Sequence, residues 1–336
     1  MRLLERGAKV SLVDPAAPGG NASSVAAGML APAFEAALDP LSGDHFELLK
    51  AARDLWPAFA ERIGGRIKRC GAFWVGVEGQ QVRHQWRLQA LGADAEYLPS
   101  AIAQRLSVGL YAPAGAVHTP EDWRLEPDQM LRTLETAFAR LGGRRRAEAI
   151  AAVGADEVTL SGGGRMRAAA VVLATGLAPR DLALDLAVLE QLTPVKGQIA
   201  RFDGAGPREG PMVRTEGVYV VPSAAGAAAG ASMEPGVFDL RIDPKVIGRL
   251  AEEAGSVFPG LARAPARGQA GVRSATPDGL PLVGRWGPDG PVLALGARRN
   301  GWLLAPMIAE TVADALAGKP PGPWTARFAP GRFSPG

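Results

Sequence analysis

Leu3-Leu4-Glu5-Arg6-Gly7-Ala8-Lys9-Val10-Ser11-Leu12-Val13-Asp14 is the stretch from which the fold is read. Residues 2–7 have the pattern of a helix tail, with Gly7 placed where the backbone turns left-handed after the last helical residue. Ala8–Val13 then reads as a buried strand, and Asp14 stands at its end. An acidic residue closing the second strand of a βαβ unit is where the ribose hydroxyls of a dinucleotide are held. Such a unit also needs a first strand and a Gly-x-Gly-x-x-Gly turn, whose backbone meets the pyrophosphate at a helix N-terminus. The sequence opens inside that helix, about 15–25 residues into a unit of roughly 30. Two expectations follow: a start assigned at an internal methionine, or a truncated product whose sheet lacks a central strand and exposes unpaired edges.

Working outward, residues 44–63 show helical apolar periodicity, 71–77 read as a strand, and a helix runs from Pro127 to Leu141. Pro127 suits a first helical turn, where its missing N–H costs nothing. A hairpin is expected from Ala147–Val153 and Glu157–Leu160, turned around Gly162-Gly163-Gly164. Ala169–Ala174 is a continuous apolar run suited to a parallel strand buried on both faces. Strands are expected at Gln198–Phe202, Gly217–Val221, Ala227–Ala231 and 292–295, and helices at 244–256 and 303–317. Strand–helix alternation at both ends around a strand-rich middle predicts an α/β protein of two interleaved domains. Residues 1–65, 120–192 and 266–336 form the nucleotide-binding domain in this reading, and 66–119 and 193–265 a smaller mixed-sheet substrate domain.

The 336 residues are ample to bury a core, and 47% hydrophobic against 21% charged is the balance of an ordinary globular protein. A net charge of +3 is weak, and the clusters Arg66-Ile67-Lys68-Arg69 and Arg144-Arg145-Arg146 carry no interleaved aromatics. They read as solvated surface, so no nucleic-acid partner is expected. The single cysteine, Cys70, excludes an internal disulfide and a thiolate cluster, and its place beside Ala72-Phe73-Trp74-Val75 reads as core. His45, His84 and His118 lack ligand spacing, so neither a metal centre nor a Ser-His-Asp mechanism is supported. Chemistry here belongs to a borrowed cofactor. No apolar run reaches membrane-span length and the start lacks a secretory pattern, so a cytoplasmic location is expected.

Three stretches carry the chemistry. Small residues and glycines directly after the acidic strand end, in Pro18-Gly19-Gly20-Asn21-Ala22-Ser23-Ser24-Val25-Ala26-Ala27-Gly28-Met29-Leu30-Ala31-Pro32, let backbone amides approach a flat or anionic ligand. Later come Gly271-Val272-Arg273-Ser274-Ala275-Thr276-Pro277-Asp278-Gly279-Leu280-Pro281 and Gly296-Ala297-Arg298-Arg299-Asn300-Gly301-Trp302-Leu303-Leu304-Ala305-Pro306. A helix starting after Asn300-Gly301 aims unsatisfied N–H groups and a positive dipole at whatever lies there. Val218-Tyr219-Val220-Val221-Pro222 and Gly230-Ala231-Ser232-Met233 lie between.

Together these stretches resemble the FAD-dependent amino-acid oxidases, the glycine oxidase and D-amino-acid oxidase family, and most of all its glycine oxidases. The resemblance runs from about Leu4 to the last helix and takes in Pro194-Val195-Lys196-Gly197-Gln198 and Ala174-Thr175-Gly176. It implies an FAD-binding Rossmann-like fold of the glutathione-reductase type. It implies further that Arg273 and Tyr219 hold a substrate carboxylate while Met233 and Arg299 border the pocket. Asp14, Pro15 and Ala147 would meet the adenosine end of FAD, and Ala22, Ser23, Ala27, Gly28 and Met29 would pass beside the flavin. Ala297, Arg298, Arg299, Asn300, Gly301, Trp302 and Leu303 would cover its pyrimidine edge. Arg298 departs from the family's usual aromatic residue, which puts substrate preference in question.

The implied activity is oxidation of glycine, or another small amine, with oxygen as acceptor, serving thiazole formation in thiamine synthesis, in a homo-oligomer. The alternatives are a D-amino-acid oxidase or dehydrogenase, a sarcosine oxidase with covalent flavin, and a truncated FAD-free product. No cysteine near Thr276-Pro277-Asp278 offers a covalent link.

Overall fold

Thr193–Asp203 is the spine of the larger sheet. Along one edge it pairs antiparallel with Arg267–Ala275 over nine residues, from Thr193↔Ala275 to Arg201↔Arg267. Along the other it pairs with Glu234–Pro235 and then with Gly226–Gly230. From there the sheet continues through Tyr219–Ser223, Met212–Arg214, Ala72–Trp74, Ala116–Thr119 and Glu96–Leu98, nine strands among the described residues. The computed structural model describes residues 1–17, 20–154, 156–177 and 186–333. Arg267–Ala275, beyond the expected domain boundary at 266, thus shares a sheet with the 193–265 strands.

Both faces of this sheet are covered at its centre, where Tyr219–Ser223 and Gly226–Gly230 are buried almost throughout. Ala200, Phe202, Val213, Val220, Ala227 and Ala229 face one side, where Ile247, Leu250, Ala254 and Val257 of the helix Pro244–Val257 pack on them. Those four recur at helical spacing, and Asp243 caps the helix by accepting from the Lys245 N–H at 2.8 Å. The alternate residues Ile199, Met212, Trp74, Val221 and Ala228 face the other side. Tyr219 packs there too, and this second face carries the site.

In the other half of the molecule, the helix Gly301–Leu316 packs on the helix Phe46–Asp54 and on the hairpin Leu282–Arg285/Val292–Leu295. Val172–Leu173 adds to that hairpin in parallel. Pro306 lies inside Gly301–Leu316 and cannot donate to the Trp302 carbonyl one turn back. The indole of the fully buried Trp56 takes over, its Nε1–H lying 3.0 Å from the Trp302 oxygen and 3.3 Å from that of Leu303. Trp56→Phe keeps most of the packing but orphans that carbonyl. It should lower unfolding stability by about 1–3 kcal/mol, read from the shift in a urea midpoint.

Several expectations are corrected. The 44–63 helix is broken into a 3-10 turn Pro40–His45 and helices Phe46–Asp54 and Trp56–Ile63, because Pro57 withdraws an N–H at the start of the last. The Gly162–Gly164 turn joins Glu157–Leu160 to Arg165–Arg167, not to Ile150–Val153, so the expected hairpin is a three-stranded meander. The first strand is Ser11–Val13 and is not buried, with Leu12 44% exposed. It pairs in parallel with Arg144–Arg146, whose charged side chains keep that pair in water. Of Ala169–Ala174 only Val172–Leu173 form a strand, since alanines bury little apolar area and the strand has a single neighbour among the described residues. The strand Glu96–Leu98 and the helices Pro32–Leu38, Gln80–Ala90 and Ser100–Leu106 were not anticipated.

Candidate active site

A cavity of about 260 Å³ opens over the second face of the sheet. Sheet register sets its floor. Ile199, Gly230, Tyr219 and Arg214 lie in one cross-strand row, and directly paired residues present their side chains to the same face. Glycine clears the space at two points. A Cβ on Gly230 would fall 2.7 Å from the Tyr219 hydroxyl, and one on Gly197 would fall 2.1 Å from Nη2 of Arg273. The Arg273 guanidinium therefore lies across Gly197, and its Nη1 reaches the Met233 sulfur at 3.1 Å. Among the described residues no carboxylate forms an ion pair with Arg273. Burial pushes its pKa down and the nearby Tyr219 opposes that. Burial raises the Tyr219 hydroxyl against the pull of Arg273 and Arg299, so the phenol stays protonated and able to donate.

The opposite wall is charged. Glu35, only 4% exposed, stands in the helix Pro32–Leu38. Its carboxylate lies 2.8 Å from Nε of Arg299 and 3.8 Å from Nη2 of Arg214. Arg214 is also buried, and its Nε–H has no partner among the described residues. Beneath this group the buried Asp122 accepts from the N–H groups of Ala33 and Phe34 at the start of the Glu35 helix. Burial raises the Asp122 carboxyl to about 6, against the charge of Arg214. Arg298 is paired with Asp39; burial alone would raise the Asp39 carboxyl, yet Arg298 holds it below its ordinary range.

Two backbone segments complete the walls. Ser274 pins the second: its hydroxyl donates to the Gly176 carbonyl at 2.7 Å and accepts from the Gly296 N–H at 3.1 Å, while its own carbonyl takes the Arg298 N–H at 2.9 Å. These bonds hold Arg298 at φ +48°, a left-handed conformation no other described non-glycine residue adopts. The chain then turns through Asn300 into Gly301–Leu316, whose N-terminus has no side-chain cap among the described residues. In the first segment, Ala27 and Gly28 are buried and line the cavity, and no protein acceptor among the described residues meets their N–H groups. Trp302 ties the two segments together, its indole N–H donating to the Ser23 carbonyl at 3.0 Å.

Of the residues named from sequence, Ala27, Gly28, Met29, Tyr219, Met233, Arg273, Arg299, Asn300 and Trp302 all line this one cavity. Ala297 bridges Ala275 beside it, Gly301 is exposed at the helix start, and the Leu303 side chain is buried in the core. Ala22 lies against the strand Arg267–Ala275, where a Cβ on Gly271 would meet its Cα at 3.2 Å. Asp14 and Ala147 emerge side by side at the carboxyl end of the parallel pair, since Val13 pairs with Arg146 and the Asp14 N–H donates to the Arg146 carbonyl at 3.0 Å. Pro15 is exposed next to them, and Pro18 and Gly19 lie outside the described residues. Glu35, Arg214 and Asp122 were missed. A lone acid in the apolar run Pro32-Ala33-Phe34-Glu35-Ala36-Ala37-Leu38 was the available signal for the first.

Residues 1–315 match the family model described as FAD dependent oxidoreductase. The chain is similar to the glycine oxidase of Geobacillus kaustophilus, 27% identical over 338 residues that cover 94% of this chain and 89% of that protein. A crystal structure of glycine oxidase from that organism gives a TM-score of 0.81 at 27% identity, covering 99% of this chain and 94% of that one. The chain is 32% identical over 344 residues to the tRNA 5-methylaminomethyl-2-thiouridine biosynthesis bifunctional protein MnmC of Maricaulis maris, covering 99% of this chain but 52% of that protein. Iminodiacetate oxidase from Chelativorans sp. BNC1 shares the fold, with a TM-score of 0.82 at 20% identity, covering 98% of this chain and 94% of that one. The chain belongs to the DAO family of FAD-dependent oxidoreductases, and FAD is its cofactor.

Proposed function

We propose that this oxidoreductase acts on glycine and other small amines, converting the substrate to its imine. The observation that carries the reading is Arg273: a guanidinium without an acidic partner among the described residues, set between Tyr219 and Met233 in a cavity of amino-acid size. A guanidinium offers a carboxylate two parallel hydrogen bonds, and the protonated Tyr219 hydroxyl adds a third donor. Met233 and the side-chain-free Gly217, Gly230 and Gly28 leave room for a small substrate.

Backbone groups of the cavity lining would hold FAD. The N–H groups of Ala27 and Gly28, unpaired among the described residues, and those at the start of the Gly301 helix would donate to it, and Asp14 would accept from ribose hydroxyls. Bound FAD supplies the two-electron acceptor, and oxygen, taking those electrons on, leaves as hydrogen peroxide. The protein's part is to hold the carboxylate and so orient the α-carbon. Glycine loses a hydride from that carbon and a proton from its nitrogen, and the imine takes up water to give glyoxylate and ammonia. A role in thiamine thiazole synthesis is consistent with similarity to the bifunctional protein ThiO/ThiG of Trichormus variabilis, 29% identical over 356 residues.

The test is a visible spectrum recorded anaerobically before and after adding glycine, beside sarcosine, D-alanine and D-proline. Bleaching by glycine at the lowest concentration is the expected result. Bleaching only by D-alanine or D-proline would replace this reading with a D-amino-acid oxidase or dehydrogenase, and a colourless protein would overturn it.

A further inference from the structure

We propose that Arg201 is a positioning residue for FAD, holding the backbone that presents the Ala27 and Gly28 N–H groups to the cofactor. Residues 22–25 form a single helical turn, begun by Asn21, whose side chain accepts from the Ser23 and Ser24 N–H groups. The turn ends at Ala26, which has left helical geometry at φ −57° and ψ 154°. A helix this short cannot use its last carbonyls internally, so those of Ser23, Ser24, Val25 and Ala26 need outside donors.

Two side chains provide them. Trp302 serves Ser23. Nη2 of Arg201 faces the other three, at 3.4 Å from Ser24, 2.9 Å from Val25 and 3.1 Å from Ala26. A cation converging on helix C-terminal carbonyls is favourable both as hydrogen bonding and against the negative end of the turn.

Arg201 is itself held. Its Nε donates to Gln269 at 3.0 Å, and its strand pairs with Arg267–Ala275 on one edge and Gly226–Gly230 on the other. It stands four residues from Gly197 on the same strand, so the two share a face. The strand that clears space for the substrate arginine therefore also anchors the segment that meets the cofactor. Immediately after the anchored carbonyls come Ala27 and Gly28, the buried residues whose N–H groups have no protein acceptor among the described residues. Releasing the anchor frees those donors to turn elsewhere.

The experiment compares the FAD-loaded protein with Arg201→Ala and Arg201→Lys. It reads the FAD dissociation constant from released-flavin fluorescence, the absorption spectrum of bound flavin, and the rise in melting temperature on adding FAD. Arg201→Ala should weaken FAD binding about tenfold or more, shift the bound-flavin spectrum and shrink the FAD-dependent rise in melting temperature. Arg201→Lys, which keeps one cation but not the planar fork, should lie between the two. An unchanged dissociation constant and spectrum would overturn the proposal. So would a lower melting temperature with the FAD-dependent rise intact, since that is what a merely structural arginine would produce. Should Arg201→Ala fail to fold, the same readouts on Arg201→Lys decide the matter.

Discussion

Arg273→Ala is expected to raise the apparent Michaelis constant for glycine by an amount equivalent to about 2–5 kcal/mol, while the protein keeps its flavin. That range is the usual effect of truncating one member of a desolvated charge pair, and much of it is the cost of leaving the substrate carboxylate buried without a partner. The structure explains why no neighbour can substitute. Arg299 is 2.8 Å from Glu35 and Arg214 shares the same carboxylate, so the two other guanidiniums lining the cavity are already engaged with an acid. Flavin retention separates this effect from collapse of the site, because Arg273 contacts Met233 and lies over Gly197, while the Ala27 and Gly28 N–H groups, unpaired among the described residues, are backbone donors that truncating a side chain leaves in place. An unchanged Michaelis constant in a flavin-loaded variant would remove Arg273 from the substrate site and with it the glycine assignment.

What could be read from sequence were the places where backbone demands are local. Gly296, Asn300-Gly301 and Pro306 punctuate a turn entering a helix, and Pro127 opens another; both helices lie within a few residues of expectation. The small residues at 26–28 announced a backbone approach, and Gly28, at φ +78° with a Cβ position only 2.3 Å from the Leu125 carbonyl, admits nothing larger. What escaped notice depends on pairing between distant segments. Arg201 looks like a surface arginine on an alternating strand until residues 24–26 are laid against it. Arg214 was nearer to hand. Thr215-Glu216-Gly217-Val218 is a turn, closed by the Thr215 hydroxyl accepting from the Gly217 and Val218 N–H groups, and any hairpin around it sets Arg214 opposite Tyr219. The strand Ala8–Val13 was read as buried because its apolar residues were counted without its partner. Three arginines beside it decide otherwise.

The largest effect on stability is expected at Glu35, where one carboxylate serves the buried cation of Arg214 and the partly exposed one of Arg299. Glu35→Leu should lower the free energy of unfolding by about 3–5 kcal/mol, because it leaves charges in the interior rather than merely deleting a contact. Glu35→Gln should cost less, since its amide oxygen keeps a partial negative charge facing Arg299. The two arginines are not equivalent. Arg299 touches Glu35 at 2.8 Å and is partly exposed, so it can turn toward water when the acid is gone. Arg214 is enclosed, with an Nε–H unpartnered among the described residues and a sulfur contact to Met29 at 3.6 Å, and it has nowhere to go. The penalty should therefore fall mainly on Arg214, and removing that charge as well should recover part of it. The measurement is a double-mutant cycle by urea unfolding of Glu35→Leu, Arg214→Met and the pair. The double variant should be more stable than the sum of the single losses predicts. Strict additivity would mean that the 3.8 Å separation carries no coupling, that Asp122 alone balances Arg214, and that Glu35 belongs to Arg299.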